Sequence, residues 1–339
     1  MSRILVAMSG GVDSAVCAAL LKKQGYAVGG AVMQLHESAN TEAQDARASA
    51  ERLGIDFHVF SWQEEFDRLV RQPFVETYRA GKTPNPCVLC NKTVKFGLFL
   101  DKALELGYDK IATGHYARIE QDENGRYLVR AARDVSKDQT YMFSLLSQEQ
   151  LSRVVLPMGD LCKEDARAIA EELGLAVAHK HDSQDICFLP DGDYLSFLRK
   201  RGVEPHEGRF LAPDGSVLGK HEGQEAYTIG QRRGLDIAYG SRIYVVAKNG
   251  NDVLLGSNDA LFSSRVKITD VNFIPFDTLT EPLRCEAKLR YTPKAAACTV
   301  YPAENGAELV FDEPQRAVTP GQTAVMYQGD LLLGGGTIV

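Results

Sequence analysis

Two sets of residues in this sequence have types and spacing suited to chemistry: one to binding phosphate, and the other, a set of cysteines, to reacting through sulfur. The first is residues 9–14, Ser-Gly-Gly-Val-Asp-Ser, which lie between the apolar residues 4–8 and a helical pattern. A glycine turn between a strand and a helix lets backbone N–H groups meet phosphate oxygens at the positive end of the helix. The hydroxyls of Ser9 and Ser14 add donors, and Asp13 offers a carboxylate that can help hold Mg²⁺. The stretch therefore predicts a phosphate-binding loop.

This loop differs from the two commonest phosphate-binding motifs. It is neither Gly-x-Gly-x-x-Gly nor Gly-x-x-x-x-Gly-Lys-Ser/Thr, because residues 9–14 contain no lysine. The plain alternative is an ordinary strand-to-helix turn. The full six-residue pattern, placed directly after the first strand, favours phosphate binding.

Three of the seven cysteines have a pattern that indicates chemistry. Cys87 and Cys90 form a Cys-x-x-Cys pair, and Cys187 lies far downstream. Such a pair can be half of a metal site, a redox pair or a nucleophile with a neighbour. No second Cys-x-x-Cys is present, which disfavours a zinc ribbon, whereas three cysteines suit an iron–sulfur cluster with one open iron. The alternative for Cys187 is a buried structural thiol, which is also our interpretation of Cys17, Cys162, Cys285 and Cys298.

The first part of the chain alternates strands and helices. Strands are predicted at residues 3–8, 27–35, 56–61 and 110–113, and helices at 12–24, 42–53, 63–71, 94–106, 148–155 and 163–173. This order predicts a doubly wound parallel α/β sheet whose ligand lies beyond the carboxyl ends of the strands. Two prolines predict an extended loop ahead of a helix that begins near Thr93. A hairpin is predicted around Asn124 and Gly125.

The second part of the chain is predicted to be β-rich. From about Gly202 the helical patterns stop, and short strands alternate with glycine turns. This pattern is typical of a small β domain followed by a β-barrel or sandwich. We expect an α/β domain at residues 1–200, a small β-rich central domain at 201–264 and a C-terminal β-barrel at 265–339.

The composition is that of an ordinary globular protein with a formal net charge of -7. The chain has no global basic footprint, so a bound nucleic acid would need local patches of positive charge. The first strand begins almost at Met1, and no long apolar segment follows. We therefore expect no targeting segment, no contact with a membrane, and a cytoplasmic protein with reduced thiols.

Seven motifs, in order along the chain, resemble those of the tRNA-specific 2-thiouridylases (the MnmA family) of the ATP pyrophosphatase superfamily. They are residues 9–14, 83–91, 112–118, 137–141, 183–188, 227–234 and 289–291. The resemblance covers nearly the whole chain and implies an enzyme, a tRNA-uridine 2-sulfurtransferase. In the implied reaction ATP adenylates the C2 oxygen of the wobble uridine (U34) of tRNA. Pyrophosphate and AMP are released, and sulfur replaces the oxygen.

The resemblance also implies which residues bind ATP and tRNA. The ATP site, with its Mg²⁺, is assigned to Ala7, Met8, Ser9, Gly10, Gly11, Val12, Asp13, Ser14, Met33 and Gly114. Contact with the target base is assigned to Asn85, Pro86 and Cys87. Other contacts with the anticodon stem-loop are assigned to His115, Lys137, Asp138, Gln139, Arg290, Tyr291 and Gln328. The alternative for His115 is a histidine hydrogen-bonded in the rim of the sheet.

The family's proposed mechanism brings the sulfur in as a persulfide from a donor protein, either a cysteine desulfurase or a relay protein. The resemblance assigns the persulfide to Cys187 and the attacking thiol to Cys90, which leaves a disulfide between them to be reduced. Many members carry Asp where this chain has Cys87, and residues 34–41 are shorter than in many members. The first difference strengthens an alternative in which Cys87, Cys90 and Cys187 hold a 4Fe–4S cluster whose open iron carries the sulfur. Because residues 34–41 are short, the sequence leaves undecided whether this segment closes over ATP.

Two other functional classes compete with this interpretation. Another ATP pyrophosphatase, such as an amidotransferase-type ligase or argininosuccinate synthetase, explains the opening loop but neither the cysteines nor the β-rich half. A non-enzymatic RNA adaptor that holds a cluster or zinc would need no ATP loop. The intact Ser9, Asp13 and Ser14 disfavour that adaptor.

Overall fold

The computed structural model describes residues 2–36, 40–180, 186–189, 191–292 and 294–339. Two sequence predictions fall partly beyond these ranges. Residues 37–39 of the short segment and residues 183–185 of the fifth motif lie outside the described residues.

The N-terminal part of the chain builds a five-stranded parallel sheet. Its strands are β1 (Arg3–Ala7), β2 (Ala27–Gln34), β3 (Asp56–Ser61), β4 (Lys110–Thr113) and β7 (Val154–Val155). Between β4 and β7 in the sequence, β5 (Arg118–Gln121) and β6 (Tyr127–Arg130) form a hairpin that does not belong to this sheet. The order in the sheet is β3-β2-β1-β4-β7, and every pair is parallel. The central strand β1 is an unbroken apolar run because both of its faces are covered, and Ile4, Leu5 and Val6 are fully buried. The predicted doubly wound α/β domain is confirmed.

Nine α-helices are found in the described residues. They are α1 (Val12–Lys23), α2 (Asn40–Leu53), α3 (Gln63–Phe66), α4 (Gln72–Arg79), α5 (Pro86–Cys90), α6 (Phe99–Glu105), α7 (Gln148–Ser152), α8 (Lys163–Glu172) and α9 (Tyr194–Lys200). Wide π-type turns at Asp67–Arg71 and Asn91–Leu98 join α3 to α4 and α5 to α6. The third predicted helix therefore continues past residue 71, and α9 was not predicted. None of the described helices is long and apolar enough to span a membrane.

The prediction of a helix start near Thr93 is wrong. The helix begins at Pro86, so Cys87 and Cys90 lie in α5 rather than in an extended loop. The side chain of Asn85 caps α5 by accepting a hydrogen bond from the backbone N–H of Val88 at 3.3 Å. Proline suits the first helical position because its N–H would have no partner there and its φ is already helical. The prolines thus start the helix instead of delaying it.

The central part of the chain forms a small four-stranded sheet. Its strands are β8 (Gly208–Leu211), β9 (Val217–His221), β10 (Tyr244–Asn249) and β11 (Asp252–Gly256), in the order β10-β11-β8-β9. Phe210, Val245, Val253 and Leu255 are buried in its core. This confirms the β-rich character expected after Gly202.

The C-terminal part of the chain is a closed barrel. Its strands are β12 (Phe262–Phe273), β13 (Leu283–Lys288), β14 (Ala296–Ala303), β15 (Gly306–Arg316), β16 (Thr323–Gln328) and β17 (Leu331–Ile338). The order is β12-β15-β14-β13-β16-β17, and the long strand β12 also pairs with β17. That second pairing closes the sheet and removes its edges, so the predicted barrel is confirmed.

The predicted hairpin is confirmed, but its partner was not foreseen. Strand β6 pairs with β17, so the hairpin β5–β6 extends the barrel sheet. Asp330, just before β17, accepts hydrogen bonds from Arg118 at 3.1 Å and from Arg130 at 2.7 Å. The N-terminal domain is therefore attached to the barrel through backbone pairing and ion pairs.

Candidate active site

The opening loop has the geometry of a phosphate cradle at the carboxyl end of β1. Gly10 has a φ of 70°, and a side chain there would place Cβ only 2.4 Å from the carbonyl oxygen of Glu42. Ser9 N–H donates to Ser14 Oγ, and Ser14 Oγ donates to the carbonyl of Gly11, both at 3.1 Å. Only glycine fits at position 10, and the two serines hold the turn that ends at α1.

Asp13, in the first turn of α1, is paired with donors from far along the chain. Both of its carboxylate oxygens accept from Lys163 Nζ at 2.8 Å, and Oδ1 also accepts from the Tyr116 hydroxyl at 2.8 Å. The Lys163 side chain is only 7% exposed. Protein donors thus use three of the roughly four acceptor positions of the carboxylate, and the expected contact with Mg²⁺ stays a prediction. Asp13 anchors a lysine and a tyrosine beside the loop.

Two lysines supply the positive charge that the loop motif lacks. Besides Lys163, the ammonium of Lys180 donates to the carbonyl of Gly10 at 3.0 Å and to Asp45 at 2.8 Å. No spacing rule could have found them, because Lys163 and Lys180 lie 150 and 170 residues from their partners in the loop. The cradle thus combines backbone donors with two ammonium groups, a combination suited to a polyphosphate.

The other two predicted ATP-binding positions lie at the same edge of the sheet. Met33 is near the end of β2, and Gly114 directly follows β4; both strands flank β1. Gly114 packs against the start of α1, where a Cβ would lie 2.7 Å from Ser14 N. The structure therefore brings the loop, Met33 and Gly114 together at the carboxyl ends of three adjacent strands.

The three candidate cysteines differ in burial. Cys90 is buried, Cys87 is half-buried and Cys187 is exposed. Burial raises the pKa of the Cys90 thiol to about 12, opposed by the positive charge of Lys95. The pKa of Cys187 is also raised, by the protein atoms crowded around its sulfur, although the residue keeps an exposed surface. At neutral pH all three thiols are therefore protonated in this state.

Electrostatic coupling places the cysteines in one neighbourhood. Charge on Cys187 raises the pKa of Cys90, and charge on Cys87 raises the pKa of both of the others. The ammonium of Lys95 lowers the pKa of all three and also that of His115. Lys95 is therefore the cation common to the whole group.

The cysteines do not form a metal site in this arrangement. Across the described ranges, no three side chains of His, Cys, Asp or Glu converge closely enough to hold a metal ion. All seven cysteines are free thiols. The 4Fe–4S alternative for Cys87, Cys90 and Cys187, whose ligands would lie farther apart than those of a single ion, stays a prediction.

Phe188 anchors the turn that carries Cys187. Its ring packs edge-on against Phe66 and Phe74, with centroids 5.7 and 5.3 Å apart, and against Phe197 at 5.3 Å. The guanidinium of Arg71 lies 5.8 Å from the Phe188 ring. The neighbour of Cys187 in sequence is thus seated in an aromatic cluster, which holds the exposed thiol close to α4.

Residues predicted to meet the target base surround α5. Pro86 is buried, and the Asn85 amide donates to the Tyr141 hydroxyl at 3.3 Å. Tyr141 in turn donates to the carbonyl of Thr323 in the barrel at 2.7 Å. The ring of Tyr291 packs edge-on against Tyr141 at 5.6 Å and remains 43% exposed. An exposed aromatic face beside α5 suits stacking with an unpaired base.

Several predicted tRNA contacts instead have partners inside the protein. His115 is buried, its Nδ1 lies 2.7 Å from Thr113 Oγ1, and burial holds its pKa well below the ordinary value. Asp138 accepts from Ala132 N–H at 3.1 Å. Gln139 accepts from the N–H of Tyr116 at 2.9 Å and so helps to place the tyrosine that binds Asp13. For His115 this favours the rim-histidine alternative, and contact of these residues with tRNA stays a prediction.

The remaining predicted contacts lie on the surface of the barrel or close to the site. Gln328 is exposed at the end of β16, and Lys137 is half-buried in the turn Val135–Lys137. Arg290 donates to the carbonyl of Ala317 at 2.6 Å and to Thr319 Oγ1 at 3.0 Å. Arg290 therefore carries a positive charge whose partners are neutral.

Comparison with known proteins gives matches over the whole chain. Family models match at residues 2–191 (tRNA methyl transferase HUP domain), 196–256 (tRNA methyl transferase PRC-barrel domain) and 263–338 (Aminomethyltransferase beta-barrel domain). The chain is 46% identical to the tRNA-specific 2-thiouridylase MnmA of Clostridioides difficile. It is 47% identical to MnmA 2 of Clostridium tetani. Each alignment covers 99% of this chain and 98% of the relative. The domain boundaries predicted from the sequence stay predictions.

Proposed function

The chain belongs to the tRNA-specific 2-thiouridylases, and from this premise we propose that it moves sulfur from Cys187 to C2 of the wobble uridine. The enzyme is a tRNA sulfurtransferase that uses ATP. The observation that supports the proposal is that Cys87, Cys90, Cys187 and Lys95 influence one another electrostatically, and that Cys187 also feels the charge of Glu42, whose backbone packs against Gly10 of the phosphate cradle. We expect it to act in the cytoplasm.

In the first step, the C2 oxygen of the uracil attacks the α-phosphorus of ATP. The bond from that phosphorus to the bridging oxygen breaks, and pyrophosphate leaves with the electron pair. Backbone N–H groups of residues 10–14 would donate to the growing negative charge, and the ammonium groups of Lys163 and Lys180 lie beside the same loop. The C2 oxygen becomes part of an AMP group, which is a far better leaving group than a carbonyl oxygen. Mg²⁺ stays a prediction, and no step depends on it.

In the second step, Cys90 attacks the inner sulfur of a persulfide on Cys187. The bond between the two persulfide sulfurs breaks, and the outer sulfur, with its electron pair, bonds to C2 as AMP departs. The Cys90 thiol gives up its proton to solvent as it attacks; burial raises its pKa to about 12, and the positive charge of Lys95 favours the loss of the proton. The step leaves a Cys90–Cys187 disulfide, which a thiol reductant must reduce before the next turnover.

The contrast in burial supports these two roles. Cys187 is exposed, so a donor protein can reach it and load the sulfur. Cys90 is 7% exposed, which shields it from premature oxidation until the persulfide is in place. We therefore assign loading to Cys187 and release to Cys90. The donor is a persulfide-carrying protein, either a cysteine desulfurase or a relay protein.

The proposal predicts that ATP cleavage depends on tRNA. We expect AMP and pyrophosphate to appear together when the protein is given ATP, unmodified tRNA and a sulfur source. Thin-layer chromatography of ³²P-labelled ATP measures this, with tRNA omitted, or already 2-thiolated, as the matched controls. Rapid AMP release with a small amine acceptor in place of tRNA would instead identify an amide-forming ligase.

A further inference from the structure

A turn in the central domain has no role in the proposed reaction, yet it lies against the barrel. The turn, residues 228–233, is closed by Gln231, which accepts from the N–H of Thr228 at 3.0 Å and donates to the carbonyl of Arg233 at 3.1 Å. Gly230 donates its N–H to Val245 at 2.8 Å. The φ of Gly230 is 91°, and a Cβ there would lie 2.8 Å from that of Ala317. The turn is thus packed onto the end of β15.

Four arginines gather around this contact; we call them the arginine band. They are Arg232, Arg233, Arg290 and Arg316. Gly230 lies beside Arg316, since a Cβ on Gly230 would be 3.5 Å from Arg316 Nη1. Arg290 donates to the carbonyl of Ala317, the residue that follows Arg316, so the two arginines are neighbours. Burial, and then the charge of Arg316, lower the pKa of Arg290. Arg232 and Arg233 are the last two residues of the turn and are exposed.

No carboxylate of the described residues forms an ion pair with the arginine band. Arg316 donates to the side-chain oxygen of Asn258 at 3.0 Å and lies over the ring of Tyr244 at 5.3 Å. The partners of Arg290 are a carbonyl and a hydroxyl. Three other exposed arginines of the two β domains do have acidic partners, in the pairs Arg209–Asp252, Arg265–Glu308 and Arg284–Asp312. In a protein of net charge -7, this is a concentrated and uncompensated positive charge.

The arginine band is connected to the candidate active site through one loop of the barrel. Residues 317–322 accept hydrogen bonds from Arg290 at one end. At the other end, Pro320 accepts from the N–H of Thr83 at 2.9 Å, and Gln322 donates to Pro84 at 2.9 Å. Thr83 and Pro84 lead directly into the cap of α5. The band therefore begins where the target base would lie and extends onto the central domain.

We propose that the arginine band binds phosphates of the tRNA backbone next to the target base, with Arg232 and Arg233 as a contact contributed by the central domain. The inference rests on the proposed function and extends the RNA surface beyond the residues that the family resemblance assigns. Guanidinium groups with only neutral partners are free to form charge-assisted, bidentate bonds with phosphate. Such contacts hold the RNA in register and do not read its sequence.

Replacing both exposed arginines, Arg232→Gln with Arg233→Gln, tests this contact. We expect the KM for tRNA to rise about tenfold, kcat at saturating tRNA to stay near wild type, and ATP affinity to be unchanged. The slope of log Kd against log salt should fall by about one to two, because roughly one counterion is released per phosphate neutralised. The lysine pair, Arg232→Lys with Arg233→Lys, should restore much of the affinity.

Arg209→Gln is the matched control, because Arg209 is an exposed arginine of the same domain whose guanidinium is paired with Asp252. It should leave the KM for tRNA and the salt slope at wild-type values. Unchanged tRNA affinity and salt slope in the double glutamine variant would overturn the inference, and so would an equal loss in the control. Wild-type protein that releases no AMP with tRNA would instead overturn the proposed function, so the two failures are distinguishable.

Discussion

Cys187→Ser and Cys90→Ser should each abolish tRNA thiolation while leaving ATP binding at the wild-type level. A serine hydroxyl cannot carry a persulfide at position 187, and at position 90 it cannot release the outer sulfur by forming a disulfide. We expect a loss of at least about a thousandfold in thiolation rate, as for other essential nucleophiles. Gel retardation of the product tRNA in a mercury-containing gel measures thiolation, and equilibrium dialysis measures ATP binding.

Cys162→Ser is the control for these variants. Cys162 caps α8, and serine is at least as good a capping residue, so its thiolation rate should match that of the wild type. Retention of thiolation by Cys187→Ser would contradict the persulfide assignment. Stoichiometric iron in anaerobically purified protein, lost in the Cys87→Ser variant, would support the 4Fe–4S alternative in its place.

Asp13→Ala should abolish adenylation. The substitution removes the carboxylate that holds Lys163 and Tyr116 beside the phosphate cradle, and with it three hydrogen bonds. We expect tRNA-dependent AMP release to fall by about a hundredfold or more. Because these hydrogen bonds to a charged group are lost, the free energy of unfolding should also fall, by about 2 kcal/mol.

Asp45→Ala separates the chemical effect from simple loss of an ion pair. Asp45 pairs with Lys180 at the same loop, but both side chains are more than a third exposed: 35% for Asp45 and 39% for Lys180. Screened pairs of this kind contribute little, so AMP release should stay within about threefold of wild type. If Asp13→Ala remained as active as Asp45→Ala, the anchoring role of Asp13 would be wrong.

The parallel sheet was predictable because its physical signal is local. The apolar run of β1 and the alternation of strands and helices are properties of neighbouring residues, and all four predicted strands are found within one residue of their predicted ends. The start of α5 differs from the prediction because a proline is compatible both with an extended chain and with the first position of a helix. The Asn85 cap, with Pro86 at the first helical position, was the available signal.

Contacts between distant parts of the chain could not be predicted. Lys163 and Lys180 reach the loop only after α8 has packed against α1, and nothing in their spacing marks them. Likewise, the pairing of β6 with β17 depends on two hairpin edges that meet only in the folded molecule. The same limit applies to the arginine band, whose members come from three separate segments.

The measurement that tests the central claim most directly is the mass of the wobble nucleoside after the reaction. Unmodified tRNA is incubated with the protein, ATP and a persulfide source, digested to nucleosides and analysed by liquid chromatography and mass spectrometry. We predict 2-thiouridine, in which one sulfur has replaced one oxygen, in amounts equal to the AMP released. A uridine that has gained a methyl group, or one left unchanged although AMP is released, would contradict the account.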